Sequence, residues 1–367
     1  MEQQVRIDPV ALQPAFDLVR HHVARGDLPS AVLAVGDRRG ALRCEAITRP
    51  GGHEIRTNSI FFLTSVTKPI FATAVMQLIE DGSLALHEPL RRYLPRFAVE
   101  DSAGDKAAVT PWHILTHTSG LEDISGSDMA RRRMSPRQIV GQITRAPLRF
   151  TPGTRFEYTS ASFYLLGELI RELTGLPYPD YLKQRLFVPL KMVDTGFDLR
   201  RSRARLVPVH GAGFDSRLRQ ALVLRYLAAA APPGGGLWGT ADDLVRFGQA
   251  LLASGDSGGN GNDRPLLSPG TVELMTRLHT CGIPQLVEGQ PRAVHYALGW
   301  GKATLGADGL PGSPRAYEHG GVSGTRLWID PDVDLVFVFL TNQWNAPTEP
   351  SYAVLGEIYR SLDAPSR

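Results

Sequence analysis

The sequence has few of the features that mark disulfide-stabilised, membrane or nucleic-acid-binding proteins. Its two cysteines, Cys44 and Cys281, provide neither a disulfide framework nor a metal-binding spacing. No apolar run is long enough to cross a bilayer. The formal net charge is only +3, and no aromatic residues interleave with the arginine clusters at 131–133 and 200–205. We therefore expect no metal, cofactor, membrane or nucleic-acid partner.

The first residues also lack the basic segment and the following apolar segment of a signal peptide. Together with the low cysteine content, this predicts a reducing, cytoplasmic location. The chain of 367 residues is 43% hydrophobic and 21% charged, which is ordinary for a soluble protein. It is long enough to form one large domain or two.

One stretch, from Phe61 to Ile70, places a serine and a lysine three residues apart after an apolar run. Pro69 indicates that a helix begins near Ser65, because proline is tolerated only in about the first helical turn. Residues three apart share a helix face, so the Lys68 amine should reach the Ser65 hydroxyl. The bland alternative is a helix cap followed by a solvated lysine. Because the rest of the helix is apolar on nearly every side, we instead expect a buried lysine beside a nucleophile.

Strand patterns occur at both ends of the chain, and helical patterns dominate its middle. An N-cap at Asp8 precedes a helix that runs to Gly26, and a hairpin follows it. Residues 222–230 are compatible with a helix or a loop, and residues 254–262 have the composition of a flexible loop. The strand candidates are 30–35, 41–47, Ile60–Leu63, Tyr296–Trp300, Arg326–Ile329 and Leu335–Leu340, the last of which is a continuous apolar run typical of a central strand.

This order predicts an α/β fold of the α+β type. Its antiparallel β-sheet is flanked by helices and is built from both termini, with an inserted, mainly helical region. The predicted domains are residues 1–80 with 230–367, which form the α/β domain, and residues 81–229, which form the helical domain. We expect the active site in the cleft between them.

Two further stretches carry residues with chemical potential. The turn-rich residues 151–160 place Tyr158 just before a helix, and a His-Gly-Gly sequence begins at His319 before a strand. The glycines would allow the backbone to approach a ligand closely. Taken separately, each stretch is as compatible with simple packing or a turn as with function.

In this order and spacing, the three motifs resemble the serine β-lactamase-like family, which includes class C β-lactamases, D,D-carboxypeptidases, D-aminopeptidases and family VIII esterases. Ser65-Val66-Thr67-Lys68 matches the nucleophile motif of that family. Tyr158-Thr159-Ser160 stands where the family has Tyr-x-Asn, and His319-Gly320-Gly321 where it has Lys-Thr-Gly or His-x-Gly. Residues 112–121, 235–244 and 340–342 are also similar to the family, so the resemblance covers about residues 10–362.

The resemblance implies a role for each matching residue. Ser65 would attack an acyl carbonyl and form an acyl-enzyme, while Lys68 and Tyr158 share the proton transfers; a buried amine next to a phenol is expected to lower the pKa of either partner. The backbone N–H groups of Ser65 and Val322 would form the oxyanion hole. The expected substrate-binding residues are Ser160, His319, Gly320 and Gly321.

Three departures from the family pattern bear on the substrate, a small acyl compound. Ser160 replaces an asparagine that can both donate and accept at longer reach. His319 replaces a permanently charged lysine, which weakens an anchor for a substrate carboxylate. Val322 keeps the backbone donor but lacks a hydroxyl. These changes favour a carboxylic ester hydrolase over a β-lactamase or a D,D-peptidase.

Other functions stay open at this point. An acyltransferase would pass the acyl group to an alcohol or amine, and a penicillin-binding or interaction module would be acylated once and remain blocked. Two sequence patterns are interpreted as decoys. Gly255-Asp256-Ser257-Gly258-Gly259 looks like the nucleophile segment of trypsin-like proteases but lies in a low-complexity stretch. His113 and His117 are spaced like a metal-binding pair, yet without a third ligand we expect them to be packing residues.

Overall fold

A five-stranded antiparallel sheet forms the centre of the protein in the computed structural model, which describes residues 7–97, 99, 108–198, 200–211, 216–254, 265–306 and 310–362. Its strand order is β2-β1-β9-β8-β7, so the two ends of the chain meet side by side in its middle. This arrangement confirms the predicted antiparallel sheet built from both termini. The described strands are β1 (Ser30–Asp37), β2 (Gly40–Thr48), β3 (Phe61–Phe62), β4 (Trp238–Gly239), β5 (Gln285–Val287), β6 (Gln290–Arg292), β7 (Tyr317–Gly320), β8 (Arg326–Asp330) and β9 (Leu335–Thr341).

Helices cover both faces of the sheet, and most of the described helices lie between β3 and β4 in the sequence. A 3₁₀ turn, Thr64–Val66, leads directly into α2, and a π-helical turn, Lys183–Phe187, follows α7. The described α-helices are α1 (Gln13–Arg25), α2 (Thr67–Glu80), α3 (Pro111–Leu115), α4 (Gly126–Arg131), α5 (Pro136–Ile143), α6 (Phe163–Thr174), α7 (Tyr178–Leu182), α8 (Arg217–Ala230), α9 (Ala241–Ser254), α10 (Pro269–Thr276) and α11 (Glu349–Leu362).

The side-chain alternation of the central strands divides the core in two. Leu33 pairs with Phe339, and both side chains face the layer formed by α1 and α11. Val32 pairs with Leu340 on the opposite face, which packs against α2, α9 and the helical region. Because both faces are covered, β9 is buried along its whole length, as its unbroken apolar sequence predicts. The domain boundaries stay a prediction.

Some local expectations were wrong or needed completion. Residues 296–300 are not a strand: the N–H of Ala297 donates to the carbonyl of Trp300 at 2.7 Å, and Gly299 adopts a φ of 77°, so the chain turns there. Asp8 does not cap α1, which begins at Gln13; its carboxylate instead accepts from the N–H of Val10. Residues 222–230, left open between helix and loop, lie in α8. Apart from Ser254, the predicted flexible loop lies outside the described residues.

Residues 319–325, which include the end of β7 and the turn that follows it, are bonded to the chain at and just before the 3₁₀ turn that carries Ser65. We call these residues the wall segment. The Ser323 hydroxyl donates to the carbonyl of Phe62 at 2.7 Å, and the Thr325 hydroxyl donates to the carbonyl of Leu63 at 2.9 Å. Ser323 also lies 3.2 Å from the hydroxyl of Thr64. These buried bonds fix the wall segment against the residues that immediately precede Ser65.

Gly321 is required by the closeness of this contact. A Cβ added at Gly321 would lie 2.2 Å from Thr64 Oγ1, 2.3 Å from Thr325 Oγ1 and 2.6 Å from the carbonyl oxygen of Leu63. Such distances are far below van der Waals contact, and two of the three atoms belong to short side chains that are themselves hydrogen-bonded. The absence of a side chain at Gly321 therefore lets the wall segment reach the Ser65 turn.

We predict that Gly321→Ala lowers the free energy of unfolding by about 1–3 kcal/mol, because overpacking a closed contact forces the surrounding backbone to shift. Denaturant unfolding of the purified variant measures this change. The matched control is Gly141→Ala in α5, where an added Cβ meets nothing within 4 Å. That substitution should leave the stability unchanged or raise it by about 0.5–1 kcal/mol. Equal stability of Gly321→Ala and the unmodified protein would contradict the packing argument.

Candidate active site

Ser65 and Lys68 lie on one face at the start of α2. Ser65 occupies the 3₁₀ turn Thr64–Val66, and Pro69 lies within the first turn of the α-helix that begins at Thr67. Lys68 is fully buried, whereas Ser65 is partly exposed. The helix start therefore carries a partly exposed hydroxyl and a buried amine on the same side.

Three oxygen atoms surround the Lys68 amine. Its Nζ donates to the carbonyl of Gly234 at 2.6 Å and to the hydroxyl of Ser160 at 3.0 Å, and it lies 3.4 Å from Ser65 Oγ. Burial lowers the pKa of Lys68 to about 7, and the negative charge of Asp123 partly opposes that shift. The amine consequently exists in both its charged and its neutral form near neutral pH, and the neutral form has a free electron pair.

Tyr158 borders the same amine and reaches the candidate nucleophile. The centroid of its ring lies 4.5 Å from Lys68 Nζ, and its hydroxyl interacts with the Ser65 side chain. Although 38% of the residue is exposed, burial around the hydroxyl raises the pKa of Tyr158 above its usual value. The expectation that the neighbouring amine lowers the pKa of this phenol was therefore wrong, because desolvation raises that pKa and outweighs the lowering effect of the Ser65 side chain. Of the two groups, only Lys68 has a lowered pKa.

Ser160 contacts the Lys68 amine in this structure. Its hydroxyl is the 3.0 Å partner of Nζ, and its backbone N–H donates to the carboxylate of Asp123 at 2.9 Å. Asp123 also accepts from the N–H of Ala161 at 2.8 Å. The carboxylate thus holds the start of the segment that leads into α6. Sequence reasoning missed Asp123, which lies two residues after the family-like stretch 112–121.

The proposed oxyanion donors lie on two elements that pack against each other. Ser65 belongs to the 3₁₀ turn, and Val322 belongs to the wall segment that is bonded to this turn. The N–H of Asn345 donates to the carbonyl of Val322 at 2.7 Å, which fixes the peptide group on the C-terminal side of Val322. The Val322 side chain is 38% exposed. These contacts hold Val322 firmly beside the turn that carries Ser65.

His319 is buried and bonded on both ring nitrogens. Its Nε2 lies 3.0 Å from the Tyr296 hydroxyl, and its Nδ1 lies 2.8 Å from the carbonyl of Gly320. Burial, reinforced by the positive charge of Lys68, lowers the pKa of His319 to about 3. The imidazole is therefore neutral at physiological pH. It does not supply the positive charge that the lysine of the Lys-Thr-Gly motif would carry at this position.

His117 lies on the other side of Tyr296. Its Nε2 is 3.3 Å from the Tyr296 hydroxyl, and its ring centroid is 4.3 Å from that of Tyr158. Sequence reasoning interpreted His117 as a packing residue and missed Tyr296 altogether. His113 has a local role, because it forms the capping box of α3 with Thr110.

Gly320 and Gly321 were expected to bind substrate. At both positions, the space that a side chain would occupy is already filled by other protein atoms. A Cβ on Gly320 would lie 3.3 Å from the guanidinium of Arg326, and the crowding at Gly321 is described above. A cavity of about 520 Å³ runs along the wall segment. Its lining includes Val322, Asn345, Thr348 and Tyr352.

Within the described residues, no group of three histidine, cysteine, aspartate or glutamate side chains could hold a metal ion. None of the helices in the same part of the chain is long and apolar enough to cross a membrane. The protease-like decoy around Ser257 lies outside the described residues.

Comparison with known proteins points to one family. The Beta-lactamase family model matches residues 15–355. Esterase EstB of Burkholderia gladioli is 28% identical over 92% of this chain and 92% of its own length. Penicillin-binding protein 4 of Amycolatopsis lactamdurans is 32% identical over 90% of this chain and 84% of its own length.

The fold comparison agrees with the sequence comparison. EstCE1, described as a hydrolase with promiscuous acyltransferase activity, superposes with a TM-score of 0.76. The two share 21% sequence identity, and the match covers 96% of this chain and 99% of that one. The chain belongs to the Beta-lactamase family of serine hydrolases.

Proposed function

We propose that the protein hydrolyses small carboxylic esters through an acyl-Ser65 intermediate. The observation that carries this proposal is the buried Lys68 amine, which lies 3.4 Å from Ser65 Oγ and has a pKa lowered to about 7. A neutral amine is a base, and a pKa near the working pH is the most effective value for general base catalysis. Distances of this length often shorten once substrate is bound.

In the first step, the neutral Lys68 amine accepts the proton of Ser65 Oγ as that oxygen attacks the acyl carbonyl. The backbone N–H groups of Ser65 and Val322 would stabilise the negative charge that develops on the carbonyl oxygen. One such donor is typically worth about 10²–10³ in rate. Lys68, now charged, returns the proton to the leaving alcohol.

Tyr158 is assigned the role of proton carrier between Lys68 and the leaving oxygen. Its raised pKa keeps the phenol protonated, so it can donate to the leaving group while it accepts from the lysine. Water then attacks the acyl-Ser65 carbonyl. Tyr158 and Lys68 take the proton of the water and return it to Ser65 Oγ as the acyl group leaves. The base is therefore the lysine, and the tyrosine passes the proton on.

Two features favour an ester over a β-lactam or a peptide with a free carboxylate. The neutral His319 offers no positive charge for a carboxylate anchor. The Ser160 hydroxyl is bonded to Lys68, so it is a weaker substitute for an asparagine that contacts a substrate amide. The likeness to an esterase over nine-tenths of both chains supports the same substrate class.

Penicillin binding or D,D-peptidase activity is the second candidate, because a penicillin-binding protein is 32% identical to this chain. Such an activity requires recognition of a substrate carboxylate by a positive charge or by several aligned donors. The two candidates therefore differ in the substrate that is turned over, and an assay with both kinds of substrate separates them.

The first prediction concerns substrate and nucleophile. We expect turnover of a short-chain p-nitrophenyl ester to exceed that of a chromogenic cephalosporin and of D-amino-acid peptides. Ser65→Ala should reduce ester hydrolysis by about 10⁴–10⁶-fold, because the nucleophile is lost. The control Ser257→Ala removes the serine of the protease-like decoy and should leave the rate unchanged.

Three outcomes would contradict the proposal. Activity that survives Ser65→Ala but is lost in Ser257→Ala would show that Ser65 is not the nucleophile. A preference for the cephalosporin would instead indicate a β-lactamase. A burst of one equivalent without further ester turnover would indicate a penicillin-binding module.

The second prediction concerns pH. Because only the neutral amine accepts a proton, kcat/KM should rise with pH through an apparent pKa of about 7 and then level off. Lys68→Met should lower kcat/KM by about 10²–10⁴-fold and abolish this rise. The measurement is a pH profile of ester hydrolysis from pH 5.5 to 9.5.

The matched control is Lys302→Met, since Lys302 is the other lysine whose pKa burial lowers, to about 8, within the described residues. Its amine donates to the carbonyl of Ala316 and has no contact with Ser65. The rise near pH 7 should persist in Lys302→Met. If the rise of kcat/KM with pH is lost in Lys302→Met, or persists in Lys68→Met, Lys68 is not the base.

A further inference from the structure

We propose that His117 and Tyr296 are positioning residues, which form with His319 a hydrogen-bond chain of fixed direction between the Tyr158 segment and the wall segment. This inference rests on the proposed function, since it concerns how the same site is held in register. The three side chains are buried, and they connect elements that are far apart in the sequence.

The direction of the chain follows from its two ends. At one end, the backbone N–H of Thr159 lies 3.2 Å from His117 Nδ1, and a backbone N–H can only donate. His117 Nδ1 must therefore accept, which leaves its proton on Nε2. At the other end, His319 Nδ1 faces the carbonyl of Gly320, which can only accept. His319 therefore carries its proton on Nδ1, and its Nε2 is an acceptor.

Tyr296 completes the chain because its hydroxyl has one proton and free electron pairs. It accepts from His117 Nε2 at 3.3 Å and donates to His319 Nε2 at 3.0 Å. A single arrangement of protons thus satisfies every polar group between Thr159 and Gly320. It requires two neutral imidazoles in opposite tautomers.

The charged and titratable groups around the chain keep both imidazoles neutral. Burial lowers the pKa of His117 well below its usual value, and the positive charge of Lys68 and the ring of His319 add to this effect. Lys68 and Arg326 likewise lower the pKa of His319. Tyr158 and Glu318, the other titratable groups near the chain, raise the pKa of Tyr296 further above its usual value. The proton arrangement is therefore stable throughout the neutral range.

His117 holds the backbone on both sides of Tyr158. Its carbonyl accepts from the N–H of Glu157 at 2.8 Å, and its Nδ1 accepts from the N–H of Thr159. Its ring also packs against the Tyr158 ring. His117 adopts a φ of 58°, a left-handed conformation that is uncommon for residues other than glycine. A strained backbone that carries three separate contacts to one tyrosine segment supports a role in positioning it.

The consequence is a fixed distance between the proton carrier and the oxyanion donor. His117 holds the position of Tyr158 through its backbone bonds and ring contact. Val322 lies in the wall segment, a few residues after His319. Tyr296 belongs to neither segment and bonds to both. Removing its hydroxyl leaves the donor on His117 and the acceptor on His319 without their shared partner. The Tyr158 segment and the wall segment are then no longer connected through Tyr296.

The direct test reads the tautomers and needs no substrate. In protein with ¹⁵N-labelled histidine, imidazole shifts should show His117 protonated on Nε2 and His319 protonated on Nδ1, unchanged from pH 6 to 8. The signals are assigned by their loss in His117→Asn and His319→Asn. A His319 that is protonated on Nε2 or charged near pH 7 would contradict the proposed hydrogen-bond chain. This result stands even if the protein proves not to be an esterase.

The kinetic test uses Tyr296→Phe, which removes one hydroxyl and little volume. We expect kcat for the ester to fall by about 10–10²-fold while KM stays within about twofold, since a misplacement of about 1 Å costs up to about 10²-fold in rate. Both tautomers should persist, because the Thr159 N–H and the Gly320 carbonyl still define them, but the ¹⁵N shift of His319 Nε2 should change as that nitrogen loses the Tyr296 proton. The control is Tyr164→Phe, in which a buried tyrosine loses a bond to the carbonyl of Ala230.

Tyr164→Phe should retain the kcat and both tautomers of the unmodified protein. If both variants lose kcat equally, the effect is a general loss of structure and the positioning role is wrong. If Tyr296→Phe keeps the kcat and the Nε2 shift of His319 is unchanged, the hydrogen-bond chain does not position the site.

Discussion

The burial of the Lys68 amine is the interaction on which the rest of the site depends. An ammonium group in an apolar interior is costly, so the amine loses its proton at a lower pH than usual and becomes a base near neutrality. Burial needs contributions from three parts of the chain. Tyr158 and Phe163 cover the amine with their rings, and Gly234 supplies a carbonyl from a distant loop. The low pKa that suits Lys68 to the proposed role of base therefore depends on the folded structure as a whole rather than on the Ser-x-x-Lys motif alone.

A second constraint is that two separate segments must meet this base at fixed distances. The wall segment reaches the Ser65 turn because Gly321 lacks a side chain and because the buried hydroxyls of Ser323 and Thr325 bond to backbone carbonyls just before the turn. On the opposite side, Asp123 and His117 hold the backbone around Tyr158. These polar groups are thus bonded to other protein groups.

The sequence predicted the main features of the fold for physical reasons. Both ends of the chain have strand patterns, and the apolar run of β9 requires a strand covered on both faces. Pro69 located the helix start to within a few residues. The stretch 296–300 misled because its apolar residues suggest a strand, whereas Gly299 turns the chain. Periodicity does not report a positive φ angle.

The site was predictable only where a motif marks it. Ser65, Lys68, Tyr158 and His319 lie in recognisable stretches. Ser65 and Tyr158 border the Lys68 amine, and the His319 ring lies 6.3 Å from the Tyr158 ring. Asp123, His117 and Tyr296 act through contacts between segments, and a single sequence contains no signal for such contacts. The pKa of Tyr158 was misjudged for a similar reason. Its shift depends on how deeply the hydroxyl is buried, which only the packed structure reveals.

The most direct test of the central claim is to find where an acyl group is attached during turnover. The protein is mixed with a p-nitrophenyl ester, quenched in acid within milliseconds to seconds, digested and mapped by mass spectrometry. The account predicts an added acyl mass on the peptide that contains Ser65, absent in Ser65→Ala. Rapid ester turnover with the acyl group on another residue, or with no acylated peptide at any quench time, would contradict it.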